Sequence, residues 1–95
     1  MALWHDDYPQ EEIPASVGEM SIEAWTMRKR GVDIISLKRK GDVCFLTVKS
    51  RLDYALTCAE VNRYLKARFE TKFHKVGFAD FILKGELGFA FIDRS

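Results

Sequence analysis

Two Lys-Gly turns of nearly the same wording frame one stretch of helical periodicity, and few folds accommodate that arrangement. Lys40 to Phe45 reads KGDVCF and Lys84 to Phe89 reads KGELGF. Glycine at a tip supplies the backbone freedom a tight hairpin needs, and the flanking runs are apolar and β-forming. The turns therefore predict two β-hairpins, 34–38 with 43–49 and 76–83 with 87–92. The match is short, so shared turn chemistry accounts for it better than a duplicated ββ unit does.

Between the hairpins, Tyr54, Cys58, Val61, Leu65 and Phe69 step by three or four residues, with Ala55 and Phe73 beside that stripe. This is the spacing of one buried helix face. Ser50-x-x-Asp53 and Thr57-x-x-Glu60 both resemble capping boxes at its start. Glu60, Arg63, Lys66 and Glu70 fall on the opposite, solvated side.

Strand alternation assigns faces to the hairpins. With Lys40-Gly41 at the first tip, Ile35, Leu37, Cys44, Leu46 and Val48 form a core face. With Lys84-Gly85 at the second, Phe78, Ile82, Leu87, Phe89 and Phe91 do the same. The reverse of the second hairpin carries Gly77, Ala79, Gly88 and Ala90, small enough for another backbone to approach. The helix or a second subunit is the expected neighbour there. The fold class is α+β, an antiparallel ββαββ sheet with the helix on one face, preceded by a short helix over 21–30 and an acidic N-terminal arm.

The arm is where charge enters. All fifteen Lys and Arg lie from Arg28 onward. Residues 1–27 hold six acids and no Lys or Arg, whereas 28–95 hold fifteen bases against eight acids, a balance of +7. Residues 1–20 contain Pro9, Pro14 and Gly18, which break regular structure, yet Leu3, Trp4, Tyr8 and Ile13 are too apolar for a free tail. They read as a partly ordered acidic extension, and 21–95 as a single compact domain.

Several function classes lose support. The start MALWHDDYPQEE lacks the basic and apolar regions of a signal peptide, and no apolar run nears the roughly 20 residues that span a bilayer. Cys44 and Cys58 sit among apolar neighbours and read as free thiols of a reducing compartment, so a cytoplasmic location is expected. Cys58 and His74 would stand roughly 24 Å apart on a continuous helix, too far for a nucleophile and its base. The two Cys and two His have no zinc-ligand spacing. A non-enzymatic protein with no cofactor or metal is expected.

Three basic clusters surround the first hairpin: Arg28-Lys29-Arg30, Lys38-Arg39-Lys40, and Lys49 with Arg51. Phosphate backbones bind where several bases share a surface, and an aromatic between bases, here Phe45, can stack a single strand. These nine residues are the candidate contact set, and nucleic-acid binding is the leading expectation. The alternative is a protein-binding regulator, inhibitor or adaptor, possibly a homodimer, that uses the acidic arm and the aromatic hairpins.

Two family resemblances bear on this. Gly88 to Ile92, GFAFI, resembles the base-stacking strand of RNA-recognition motifs, but Leu87 and Arg94 replace its base and its last aromatic, so only five residues agree. Leu56 to Leu65, LTCAEVNRYL, followed by Lys84 to Leu87, is similar to the helix-turn-helix and wing of excisionase-like DNA-binding proteins. That resemblance implies a recognition helix over 71–83, capped by Gly85, in place of a strand.

Overall fold

The computed structural model describes residues 21–94. The acidic arm, residues 1–20, lies outside the described residues. The elements are helix α1 (Ile22–Lys29), strand β1 (Val32–Lys40), strand β2 (Val43–Ser50), helix α2 (Tyr54–Phe69), strand β3 (Phe73–Asp80), a helical turn α3 (Phe81–Lys84) and strand β4 (Glu86–Ile92). The strands form one antiparallel sheet in the order β1-β2-β4-β3. Both longer helices pack on the sheet face carrying Leu37, Leu46, Leu87, Phe89 and Phe91, with Met27 of α1 and Val61 and Leu65 of α2 in the same core.

The two longer helices each start at a cap. The Ser21 hydroxyl accepts the Ala24 N–H at 3.1 Å, and the Asp53 carboxylate accepts that of Leu56 at 2.8 Å. Such caps each contribute about 1 kcal/mol. Ser50 and Thr57 are not caps. Their buried hydroxyls bond each other at 2.6 Å, Ser50 accepts the Leu52 N–H, and Thr57 donates to the Asp53 carbonyl at 2.7 Å. The proposed box residues are thus consumed in tying the end of β2 to the start of α2. The helix stripe shifts accordingly. Thr57, Val61, Tyr64 and Leu65 are buried, while Tyr54 and Ala55 are exposed.

The helix ends at Phe69 because Glu70 takes left-handed backbone angles, φ 54° and ψ 40°. The freed carbonyls of Lys66 and Leu65 are taken by the N–H groups of Glu70 and Thr71. Asn62 then accepts the Phe73 N–H at 3.1 Å and starts β3. Phe73 is therefore a strand residue whose ring meets Phe89 at 4.8 Å, not a continuation of the helix. This also overturns the recognition helix over 71–83. Phe73–Asp80 pairs with β4, Lys75 opposite Ala90 and Val76 opposite Phe89. The connection to β4 is the turn α3 and Gly85, so the strand begins and ends earlier than 76–83.

The first hairpin turns at Gly41-Asp42, with Lys40 opposite Val43. Gly41 alone of the pair has positive φ, 61°, as the first position of a II′ turn requires. An irregularity between Ile34 and Ser36 makes Ile35 an extra residue. A bulge reverses the alternation on one side of itself. Ile35 consequently stands 44% exposed, and Val32 and Ile34 join the core in its place. The expected positions of Leu37, Cys44, Leu46 and Val48 hold.

Candidate functional site

Strand length separates the candidate bases. Val32 and Lys40 lie at opposite ends of β1, roughly 25 Å apart at strand rise. Arg28, Lys29 and Arg30 sit at the first end. Arg51 joins them through its N–H bond to the Gly31 carbonyl at 2.9 Å, and Lys49 lies two residues earlier on β2. Acids answer them there. Arg28 pairs with Asp33 at 3.2 Å and Arg30 with Glu60 at 3.5 Å, while Lys49 stands opposite Asp33 on one side and Glu86 on the other. Lys29 lies over the Trp25 ring at 4.3 Å.

Lys38, Arg39 and Lys40 sit at the other end, and the fold brings further bases to them. The Asp93 N–H donates to the Asp42 carbonyl at 2.8 Å, which fixes the end of β4 against the hairpin tip. Phe69 packs on Phe91 at 5.0 Å and places the last turn of α2 at the same end. Two open hollows of about 610 and 510 Å³ share Glu70 and Thr71; Lys66 and Lys72 line the first, Ile92, Asp93 and Arg94 the second. Segments 38–45, 66–75 and 90–94 thus converge. Together they carry Lys38, Arg39, Lys40, Lys66, Arg68, Lys72, Lys75 and Arg94 against Asp42, Glu70 and Asp93.

Arg39 is committed within this end. It pairs with Asp93, whose side chain is 5% exposed, and that bond raises the guanidinium's already high pKa further. Lys40, Lys66, Arg68, Lys72 and Arg94 are exposed. Lys66, Arg68, Lys72, Lys75 and Arg94 were absent from the sequence-based set. Lys66 falls on the solvated face of the helix, and Lys72 and Lys75 reach this end because β3 starts at Phe73.

Phe45 occupies a row that crosses all four strands: Lys38, Phe45, Ala90, Lys75. The row is on the face opposite the helices, as are Gly77 and Gly88. The small-residue side of the second hairpin therefore does not receive the helix. Phe45 is 5% and Ala90 1% exposed there, so the ring is covered and offers no open stacking surface.

The thiols are quiet. Cys44 is buried and Cys58 half-buried, and burial pushes both pKa values up, against thiolate formation. His74 lies on β3, off the helix that carries Cys58. Among the described residues, no three His, Cys, Asp or Glu side chains gather as a metal site, and no helix is long and apolar enough to cross a membrane.

The chain matches no protein-family model, no curated protein and no solved structure.

Proposed function

We propose that this chain is a non-enzymatic nucleic-acid-binding protein that grips the phosphate backbone with the end of the sheet where the β1–β2 tip, the last turn of α2, the start of β3 and the end of β4 meet. One observation carries the reading: eight bases against three acids in the three segments that converge there. Bases on one surface bind polyanions by releasing condensed counterions, and need no base-specific contact to do so. The covered ring of Phe45 takes stacking out of the reading and leaves an electrostatic grip. At the other end Arg28 and Arg30 are paired with acids and Lys49 lies across the ladder from Asp33 and Glu86, so that group plays a lesser part. Two free thiols fit a cytoplasmic setting.

The test is fluorescence anisotropy with a short labelled oligonucleotide across a salt series. Binding that weakens linearly in log–log form, and that Lys40→Gln, Lys66→Gln and Lys72→Gln together abolish, supports the reading. No binding at low salt ends it.

A second reading, a protein-binding regulator, draws on apolar exposure. Tyr54 and Phe78 stack at 5.3 Å, Phe78 is 48% exposed, and Leu83 stands on the adjoining turn α3. It requires a complex that survives nuclease treatment and that Leu83→Ser weakens.

A further inference from the structure

Glu70 stands where backbone and field both disfavour it. It is the one non-glycine with positive φ among the described residues, in the position after a helix where glycine is ordinary. Its carboxylate meets the negative end of the α2 dipole. It is exposed and, among the described residues, makes no ion pair and no side-chain hydrogen bond, although Lys66, Lys72 and Arg94 line the same hollows. Residues held against local preference gather at binding sites. The other acids of this end differ. Asp93 is buried against Arg39, and Asp42 lines neither hollow.

Charge alone gives Glu70 no part in the proposed grip, because a carboxylate repels phosphate. It can help only by accepting hydrogen bonds from the ligand. The two hollows that share Glu70 and Thr71 sort the parts of a nucleotide. The first, about 610 Å³, has Lys66 and Lys72 with the amide of Asn62. The second, about 510 Å³, has Phe69 and Ile92, both half-buried, as apolar lining, with Arg94 beside them. Both volumes fall in the range of small-molecule clefts, roughly 300–1,000 Å³.

We infer that Glu70 reads an unpaired guanine. The base lies in the second hollow against Phe69 and Ile92, its N1–H and N2–H donate to the two carboxylate oxygens, and the adjoining phosphate lies at Lys66 and Lys72. Guanine alone among the common bases sets two donors side by side on its pairing edge, at the spacing of a carboxylate's oxygens. Adenine and cytosine set an acceptor beside the single amino group, and thymine or uracil sets a carbonyl on each side of its N–H. Those acceptors would face the carboxylate. In a duplex the pairing edge of guanine is occupied, so the ligand is a single strand or a loop. The inference rests on the nucleic-acid reading and adds one base contact to its electrostatic grip.

Fluorescence anisotropy with the full chain and two short labelled single strands tests it, one all thymidine and one with a single central deoxyguanosine. The second should bind about tenfold tighter. Replacing its guanine by hypoxanthine, which lacks the N2 amino group, should remove most of that gain. Glu70→Gln keeps the length of the side chain and removes its charge. If Glu70 only repels phosphate, this variant tightens both strands alike. Under the inference it abolishes the guanine preference and leaves the two affinities equal. Equal affinity of the unaltered protein for the two strands, or a preference that survives Glu70→Gln, overturns the assignment and leaves the phosphate grip standing. Binding of neither strand removes the nucleic-acid reading, and this inference with it.

Discussion

The Ser50 N–H donates to the Gly85 carbonyl at 2.8 Å, and the Ser50 carbonyl in turn lies so close to Gly85 that a Cβ there would come within 2.4 Å of its oxygen. Ser50 thereby joins three elements: β2, the start of α2 through Thr57, and the entry to β4. Gly85 has a φ of 68° and faces a backbone atom that cannot turn away.

Gly85→Ala should cost about 3 kcal/mol, combining the left-handed backbone penalty with the clash. Gly41 also has positive φ, yet nothing lies within 4 Å of its Cβ position. Gly41→Ala should cost only about 1 kcal/mol. Urea unfolding of both variants measures the difference. Equal losses would show that the two turns, so alike in wording, are alike in packing as well.

The Ser50–Thr57 hydroxyl pair is buried, so its halves should be coupled. Thr57→Val takes the acceptor from the Ser50 O–H, whose oxygen keeps the Leu52 N–H, and should cost about 1–3 kcal/mol. Adding Ser50→Ala should cost less than the sum of the two single changes by at least about 0.5 kcal/mol. Additive losses in a double-mutant cycle would deny the coupling.

Glu70 holds a positive φ at the C-terminal end of α2, where a carboxylate also opposes the helix dipole. Glu70→Gly should stabilise the protein by about 0.5–1 kcal/mol, read as a rise in the unfolding midpoint. A loss would mean that the Glu70 side chain contributes more than its backbone costs.

Much of this fold was legible because periodicity and turn chemistry are local. The core residues Leu37, Leu46, Val61, Leu65, Phe89 and Phe91 follow from alternation and helical spacing alone. Ile35 departs from the alternation because a bulge leaves no mark in residue type. Ser50 and Thr57 look like caps because the hydroxyl that caps a helix also satisfies a buried neighbour. The site was less legible still. Lys72, Lys75 and Arg94 become neighbours of Lys40 only through strand order, which depends on long-range pairing. Arg28 and Arg30 read as available in the sequence, whereas the fold sets Asp33 and Glu60 beside them.

Tyr64 supplies a pH prediction. Burial pushes its phenol from the ordinary 10 up to about 12, and its hydroxyl makes no hydrogen bond among the described residues. The folded state favours the neutral phenol, so this contribution is whole below pH 10 and is lost as pH rises toward 12. The loss should be about 2 kcal/mol across that window. Tyr64→Phe should remove this part of the alkaline decline and leave neutral-pH stability unchanged or slightly higher. Unfolding curves at pH 8, 10 and 11 for both proteins decide it. A phenolate forming at the ordinary pH without unfolding would contradict the burial.

The two ends of the sheet should separate in a salt series. Neutralising Lys66, Lys72 and Arg94 to Gln removes three exposed bases from the convergent end. If each touches phosphate, the slope of log affinity against log salt should flatten by about 2–3, and affinity at low salt should fall at least about a hundredfold. Neutralising Arg28, Lys49 and Arg51 removes the same charge from the end where Asp33 and Glu86 already answer it. That triple should flatten the slope by less than about 1. Loss of Arg28 also frees Asp33, an added anion that lowers affinity without changing the slope much. Equal flattening by the two triples would mean that the ligand tracks the whole sheet, and the assignment to one end would fall.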